Sequence, residues 1–184
     1  MPGPFLFGPY GPSWGIVFSM IRLLTPTDAA LYRAIRLEAL SAHPEAFAST
    51  FAHEQEKPLA WFEQRLTTSD VFGAFIDGEI VGVAGFRRQD GPQTMHKADL
   101  WGMYVRRQAG RSGVGRRLVD AVIAHAAKQV EKLQLTVASK NEAALRLYKA
   151  AGFVEYGREV KALKQNGCYF DEVLMELFVD GSGK

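Results

Sequence analysis

A strand-like run from Lys97 to Val105 gives way to a helical repeat in which Val114, Leu118, Val122 and Ala126 recur every fourth residue. The change falls on Gly110-Arg111-Ser112-Gly113-Val114-Gly115-Arg116-Arg117, so a strand passes into a helix through a glycine turn. The first turn of a helix carries N–H groups with no intrahelical acceptor, and with the helix dipole they favour an anion there. Glycine removes the Cβ that would hold a phosphate away, and Arg111, Arg116 and Arg117 add positive charge, with Arg111 the leading phosphate contact. Taken alone, such a run is more often just a tight turn with solvated arginines. It lacks the Gly-Lys-Ser/Thr ending of a triphosphate-binding loop, and an antiparallel meander precedes it, unlike a dinucleotide fold. A different phosphate-bearing cofactor is therefore expected.

Around this unit the pattern predicts a mixed α/β domain. Met20 to Leu24 reads as a strand, Thr25-Pro26-Thr27-Asp28 as a helix start, and Leu31, Ile35 and Ala39 as one buried helical face. A loop around His43-Pro44-Glu45-Ala46-Phe47, a candidate lid, leads to a second helix from Pro58 to Leu66. Val71 to Ile76, Ile80 to Arg87 and Lys97 to Val105 read as strands separated by the turn signals Asp77-Gly78 and Asp90-Gly91-Pro92. After the helix from Gly113 come a strand from Leu133 to Ala138, a helix opened by Asn141 and ending near Gly152, and two strands. These last, Phe153 to Leu163 and Tyr169 to Phe178, are joined at Gln165-Asn166-Gly167. The predicted order is β-α-α-β-β-β-α-β-α-β-β, with parallel pairing through the β-helix-β unit at Gly113 and a ligand where that sheet opens.

At 184 residues, with 47% hydrophobic and 23% charged residues, the chain suits one domain, residues 20–180, preceded by an extension, residues 1–19, disordered or arm-like. Met20 is an alternative start. The net charge of +2 and the scattered Lys and Arg give no footprint for nucleic acid. The apolar N-terminus is broken by Pro2, Pro4, Pro9 and Pro12 and lacks a basic leader, so neither a signal peptide nor a membrane span is expected. A cytoplasmic protein follows. Cys168 is the only cysteine and reads as a small buried residue; the four histidines show no metal-ligand spacing, so no metal is expected.

Three segments taken in order resemble the GNAT acetyltransferase family: Ala98-Asp99-Leu100-Trp101-Gly102-Met103-Tyr104-Val105, the turn from Arg111 to Gly115, and Asn141-Glu142-Ala143-Ala144-Leu145-Arg146-Leu147-Tyr148 with Gly152-Phe153. The resemblance runs from about Met20 to Phe178. It implies the GNAT acyl-CoA N-acyltransferase fold and direct transfer of an acetyl group from acetyl-CoA to a primary amine, on a small molecule, a peptide or protein N-terminus, or a lysine. It also implies that the backbone of Met103, Tyr104 and Val105 pairs with the pantetheine arm. Arg111, Ser112, Gly113, Val114, Gly115 and Arg116 would hold the pyrophosphate, and Asn141 would contact the cofactor arm. The family usually has Arg or Gln three residues before the first glycine of its Gly-x-Gly; Gly110 stands there in this chain, with Arg111 one place later.

Within that frame Tyr148 is the leading general acid for the departing thiolate, against the alternative of a core tyrosine. An ammonium acceptor must lose a proton before it attacks, and Asp99 is the first choice of base, with Asp171, Glu172 and His96 in reserve. The N–H of Met103 is the expected donor to the reacting carbonyl oxygen. Relatives that acetylate a ribosomal-protein N-terminus have a Glu five residues before the motif Asn, where Thr136 stands here. Phe47, Phe51, Trp61, Trp101 and Tyr169 are candidates to line an acceptor pocket. A non-catalytic acyl-CoA sensor and a partner-binding module are the alternative functions, and a homodimer is possible in either case.

Overall fold

The computed structural model describes residues 19–179. The expected extension lies outside them, apart from Ser19, which opens the first strand. Seven strands, β1 (Ser19–Leu23), β2 (Asp70–Ile76), β3 (Glu79–Arg88), β4 (Lys97–Val105), β5 (Lys132–Ala138), β6 (Val154–Gln165) and β7 (Cys168–Phe178), form one mixed sheet in the order β1-β2-β3-β4-β5-β7-β6. Five helices accompany them: α1 (Ala29–Ala42), α2 (Phe51–Gln55), α3 (Leu59–Thr68), α4 (Val114–Ala126) and α5 (Glu142–Ala150). The order matches the predicted one except for α2. That five-residue helix is too short to show a period; it is started by Thr50, whose side chain accepts from the His53 N–H.

Each sheet face buries one apolar layer. Val114, Leu118, Val119, Val122 and Ala126 of α4 pack on Phe72, Ala74, Phe86, Leu100 and Leu133, and Val173 and Met175 of β7 join the same cluster. Tyr32, Ile35 and Ala39 of α1, with Phe62 and Leu66 of α3, cover Val71, Phe75, Val83 and Tyr104 on the other face. The predicted α4 stripe is buried throughout. That of α1 needs a correction: Leu31 is 45% exposed, because the buried face centres on Tyr32, Arg36 and Ala39, roughly a quarter turn away. Cys168 also departs from expectation. It is exposed, since it pairs with Gln165 across the two-residue turn Asn166-Gly167 at a hairpin tip, beyond either core.

Two irregularities shape the middle of the sheet. β4 and β5 run parallel only where Lys97 to Asp99 face Lys132 to Gln134; beyond Asp99 they part, leaving one edge of β4 open. On its other edge β4 carries a bulge: Val83 faces Tyr104 and Gly85 faces Trp101, so β4 spends one more residue than β3, and Gly102 takes φ +63°. Glycine at 85 is required by contact, since a Cβ there would run into the Trp101 indole.

Candidate active site

The gap between β4 and β5 holds two adjoining cavities. The outer one, about 590 Å³, runs along Met103, Tyr104 and Val105 to Gly110, Arg111, Gly113, Gly115 and Arg116, with Asn141, Ala144 and Leu147 opposite. The inner one, about 400 Å³, is lined by Arg36, Phe47, Arg65, Trp101, Thr136, Tyr148 and Glu172 among others. Ala46, Phe47, Met103, Asn141, Ala144 and Leu147 border both. Eight of the ten residues proposed to hold a cofactor therefore line one groove.

The other two face elsewhere. Val114 is buried in the α4 core, and the Ser112 hydroxyl donates to the Ala109 carbonyl at 2.7 Å, bracing the turn from within. Among the described residues, the N–H groups of Val114, Gly115 and Arg116 have no backbone acceptor, while that of Arg117 closes on the Gly113 carbonyl at 3.1 Å. These unused donors, with the close approach that Gly113 and Gly115 permit, fit a pyrophosphate. Arg116 is committed otherwise: its Nε donates to Asp120 at 2.8 Å and its Nη1 to the Ala150 carbonyl at 2.8 Å. Arg111 has no side-chain bond among the described residues, consistent with a role as the phosphate-seeking cation.

The changed turn has a structural cost. Arg111 occupies the left-handed region at φ +63°, which costs an L-residue roughly 1–2 kcal/mol. Gly110, by contrast, has φ −61°, but a Cβ there would stand 2.9 Å from the Arg107 carbonyl oxygen. A side chain at 110 is thus opposed by the backbone three residues earlier, and the arginine stands at 111 instead.

Asn141 starts α5, its Oδ1 accepting from the Ala144 N–H at 3.1 Å, so it both caps the helix and borders the two cavities. About two turns on, Tyr148 is 5% exposed and packs edge-on to Phe153 at 5.8 Å. Burial pushes its phenol well above the usual tyrosine range, so it stays protonated at any physiological pH.

Asp99 is not brought to either cavity. It lies where β4 and β5 still pair, accepting from Arg87 at 3.3 Å and Gln89 at 3.2 Å. His96 lies outside the site as well, its carbonyl accepting from the N–H of Glu131 and Lys132. Asp171 accepts from the Lys161 N–H at 2.9 Å and borders a third cavity, which shares Ala46, Ala138 and Asn141 with the inner one. Among the acids named from sequence, only Glu172 reaches the inner cavity. Burial raises its pKa, a hydrogen bond with Thr136 opposes the rise, and the nearby negative charge of Glu159 adds to it. The β5–β7 register explains the meeting: Ala138 faces Glu172 and Thr136 faces Leu174, so Glu172 and Thr136 are diagonal neighbours on one face. A carboxylate thus reaches the Thr136 position from the neighbouring strand.

Of the aromatic candidates, Phe47 and Trp101 line the inner cavity, whereas Trp61 packs edge-on to Phe62, Tyr169 borders the third cavity and Phe51 is exposed. A group that sequence reasoning missed lies deeper. Glu54, 1% exposed, accepts from Arg36 Nε at 2.9 Å and Nη2 at 2.8 Å, and from Arg65 Nη1 at 3.3 Å. The only sequence signal was two arginines and a glutamate on otherwise apolar faces. Among the described residues no cluster of three His, Cys, Asp or Glu is placed to hold a metal ion, and no helix is long and apolar enough to cross a membrane.

Comparison with known proteins agrees with this geometry. The model of the acetyltransferase (GNAT) family matches residues 32–153. L-amino acid N-acetyltransferase AaaT of Escherichia coli is 30% identical over 148 residues, covering 78% of this chain and 90% of its own. A GNAT acetyltransferase structure from Streptococcus pneumoniae superposes with a TM-score of 0.78 at 25% identity, covering 88% of this chain and 99% of that one. The yncA structure from Salmonella typhimurium, solved with its cofactor acetyl-CoA, gives a TM-score of 0.74 at 22% identity, covering 90% and 96%.

Proposed function

The chain belongs to the GNAT acetyltransferase family, and on that premise we propose that it moves the acetyl group of acetyl-CoA directly to a primary amine held in the inner cavity. The observation that carries this reading is the junction of the two cavities. One leads from the glycine turn, the other ends at Glu172 and Tyr148, and they share Met103, Asn141, Ala144 and Leu147.

Acetyl-CoA, when bound, supplies an acetyl thioester and leaves as a thiol. The N–H groups at the start of α4 and the Arg111 guanidinium hold the anionic end of the groove's ligand. The open edge of β4 from Met103 to Val105 offers main-chain donors and acceptors to an extended arm, as an added strand would use them. At the bulge, the Met103 N–H donates to the oxygen on which charge develops, an interaction worth roughly 2.7–4 kcal/mol in a water-poor site. Glu172 accepts the proton that the ammonium must lose, and its raised pKa brings it closer to the pH at which a base works well. Tyr148, kept protonated, donates toward the leaving sulfur. Nitrogen loses two protons in all, one to Glu172 before it attacks and one as the tetrahedral adduct collapses; as the C–N bond forms and the C–S bond breaks, sulfur gains one proton by way of Tyr148 and the other leaves Glu172 for solvent, so no covalent enzyme species is required. A base and an acid at the end of the groove also favour turnover over sensing.

The test is thiol release from acetyl-CoA over a panel of amines, with Tyr148→Phe beside the wild type. Turnover of an amine that falls at least ten-fold in kcat in the variant, with the KM for acetyl-CoA held, supports the assignment. Wild-type and variant rates that coincide would remove Tyr148 from the chemistry, and absence of acetyl-CoA binding would overturn the function itself.

A further inference from the structure

The inner cavity carries more positive charge and more unused donors than acetyl transfer by itself requires. Arg36 has a side chain only 5% exposed, yet it is not fully satisfied: Nε and Nη2 grip Glu54, while Nη1 finds no acceptor among the described residues. Trp101 lines the same cavity, and its Nε1, packed over Gly85, is likewise buried and without an acceptor among the described residues. A buried donor left unpaired is costly, so two among the residues of one cavity call for a ligand that brings acceptors. Arg36 and Arg65 share the single carboxylate of Glu54, which leaves one guanidinium charge uncompensated.

The guanidiniums are held in place by packing. Arg65 lies over the rings of Trp61 at 4.5 Å and Trp101 at 5.0 Å, and Arg36 over Phe47 at 5.0 Å. Gly102 leaves the approach clear, its absent Cβ lying 3.8 Å from Arg36 Nη1. The cavity's other charged group is Glu172, an acceptor for an ammonium. Cation and anion in one small cavity match a zwitterion, not a polycation.

Resting on the acetyl-transfer reading above, we infer that the acceptor is an amine bearing its own carboxylate, a free α-amino acid or close analogue. Arg36 Nη1 and Trp101 Nε1 donate to the carboxylate oxygens, and the amine points to Glu172. Arg36 is a specificity-determining residue that touches substrate, and Glu54 positions it. A polyamine brings no acceptor to these donors, and a peptide N-terminus has a neutral amide where the carboxylate belongs.

The full chain is assayed with α-amino acids, each paired with its carboxamide and its decarboxylated amine, by thiol release and by calorimetric binding in the presence of CoA. The acid is expected to exceed its carboxamide about 100-fold in kcat/KM, mostly through KM, and by a similar factor in Kd. In Arg36→Lys that ratio falls to within about three-fold while CoA affinity is unchanged. Should Arg36→Lys fail to fold, the wild-type ratio decides alone. Acids and carboxamides used equally, or a polyamine preferred, overturn the carboxylate assignment and leave acetyl transfer standing. Tight, acid-selective binding without turnover upholds the clamp and overturns the enzyme.

Discussion

Replacing Glu54 with Gln keeps the shape of the side chain and removes its charge. Burial pushes the Glu54 carboxyl up, but hydrogen bonds and charge from Arg36, with help from Ser49 and Arg65, more than offset this and hold it below the usual carboxylate range. In Glu54→Gln the Arg36 guanidinium stays 5% exposed and loses its counter-ion. Removing one partner of a buried pair costs about 3–5 kcal/mol. The amide keeps one acceptor oxygen for Arg36, which places the expected loss near the lower end, about 3 kcal/mol. For a domain of this length each kcal/mol moves Tm by about 2–4 °C, so calorimetry or circular dichroism should show a fall of about 9 °C at pH 7. The pH dependence gives an independent sign. A carboxyl whose folded pKa is lowered contributes stability above its unfolded pKa and loses it as pH falls through the folded value. The gap between wild type and variant is therefore widest at neutral pH and closes in acid. A fall under about 3 °C, or one that does not narrow in acid, would mean that the Arg36 charge is solvated or compensated elsewhere, and the argument for its orphaned donor would go with it.

Glu172→Gln should lower kcat about 10²–10⁴-fold and abolish the acid limb of the rate profile; because burial raises this pKa, the ionised carboxyl costs stability above it, so Tm at pH 7 should rise in the variant. Asp99→Asn should change kcat/KM less than about two-fold, since its partners are the exposed Arg87 and the partly buried Gln89 and exposed pairs contribute about 0–1 kcal/mol; a large loss would return the base to β4. Arg111→Gly relieves a left-handed backbone but adds freedom to the unfolded chain, so stability measured in urea should move by under about 1 kcal/mol, while the KM for acetyl-CoA rises several-fold. Leu118→Ala, which removes a fully buried α4 side chain, should cost about 2–5 kcal/mol in the same titration.

The amino-acid sequence by itself determined the elements that have a period or a turn signal: the meander, the α4 stripe, the Asn141 cap and the Asn166-Gly167 hairpin, each set by contacts within a few residues. It also determined the glycine turn, because unpaired N–H groups at a helix start follow from local geometry alone. It misplaced Leu31 and Cys168, where burial depends on which part of a helix or hairpin meets the sheet. The parting of β4 from β5 and the bulge at Gly102 were decided only in the tertiary structure, since each depends on how many residues two distant strands spend against one another. The same is true of the proposed base. Asp99 lies four residues before Met103 on the same strand yet outside the two cavities, whereas Glu172, remote in sequence, is delivered beside Thr136 by the register of β7 on β5. The Arg36–Glu54–Arg65 cluster joins residues from three helices, and buried charges have no local signature: each pays for its desolvation with a partner chosen by packing, not by spacing.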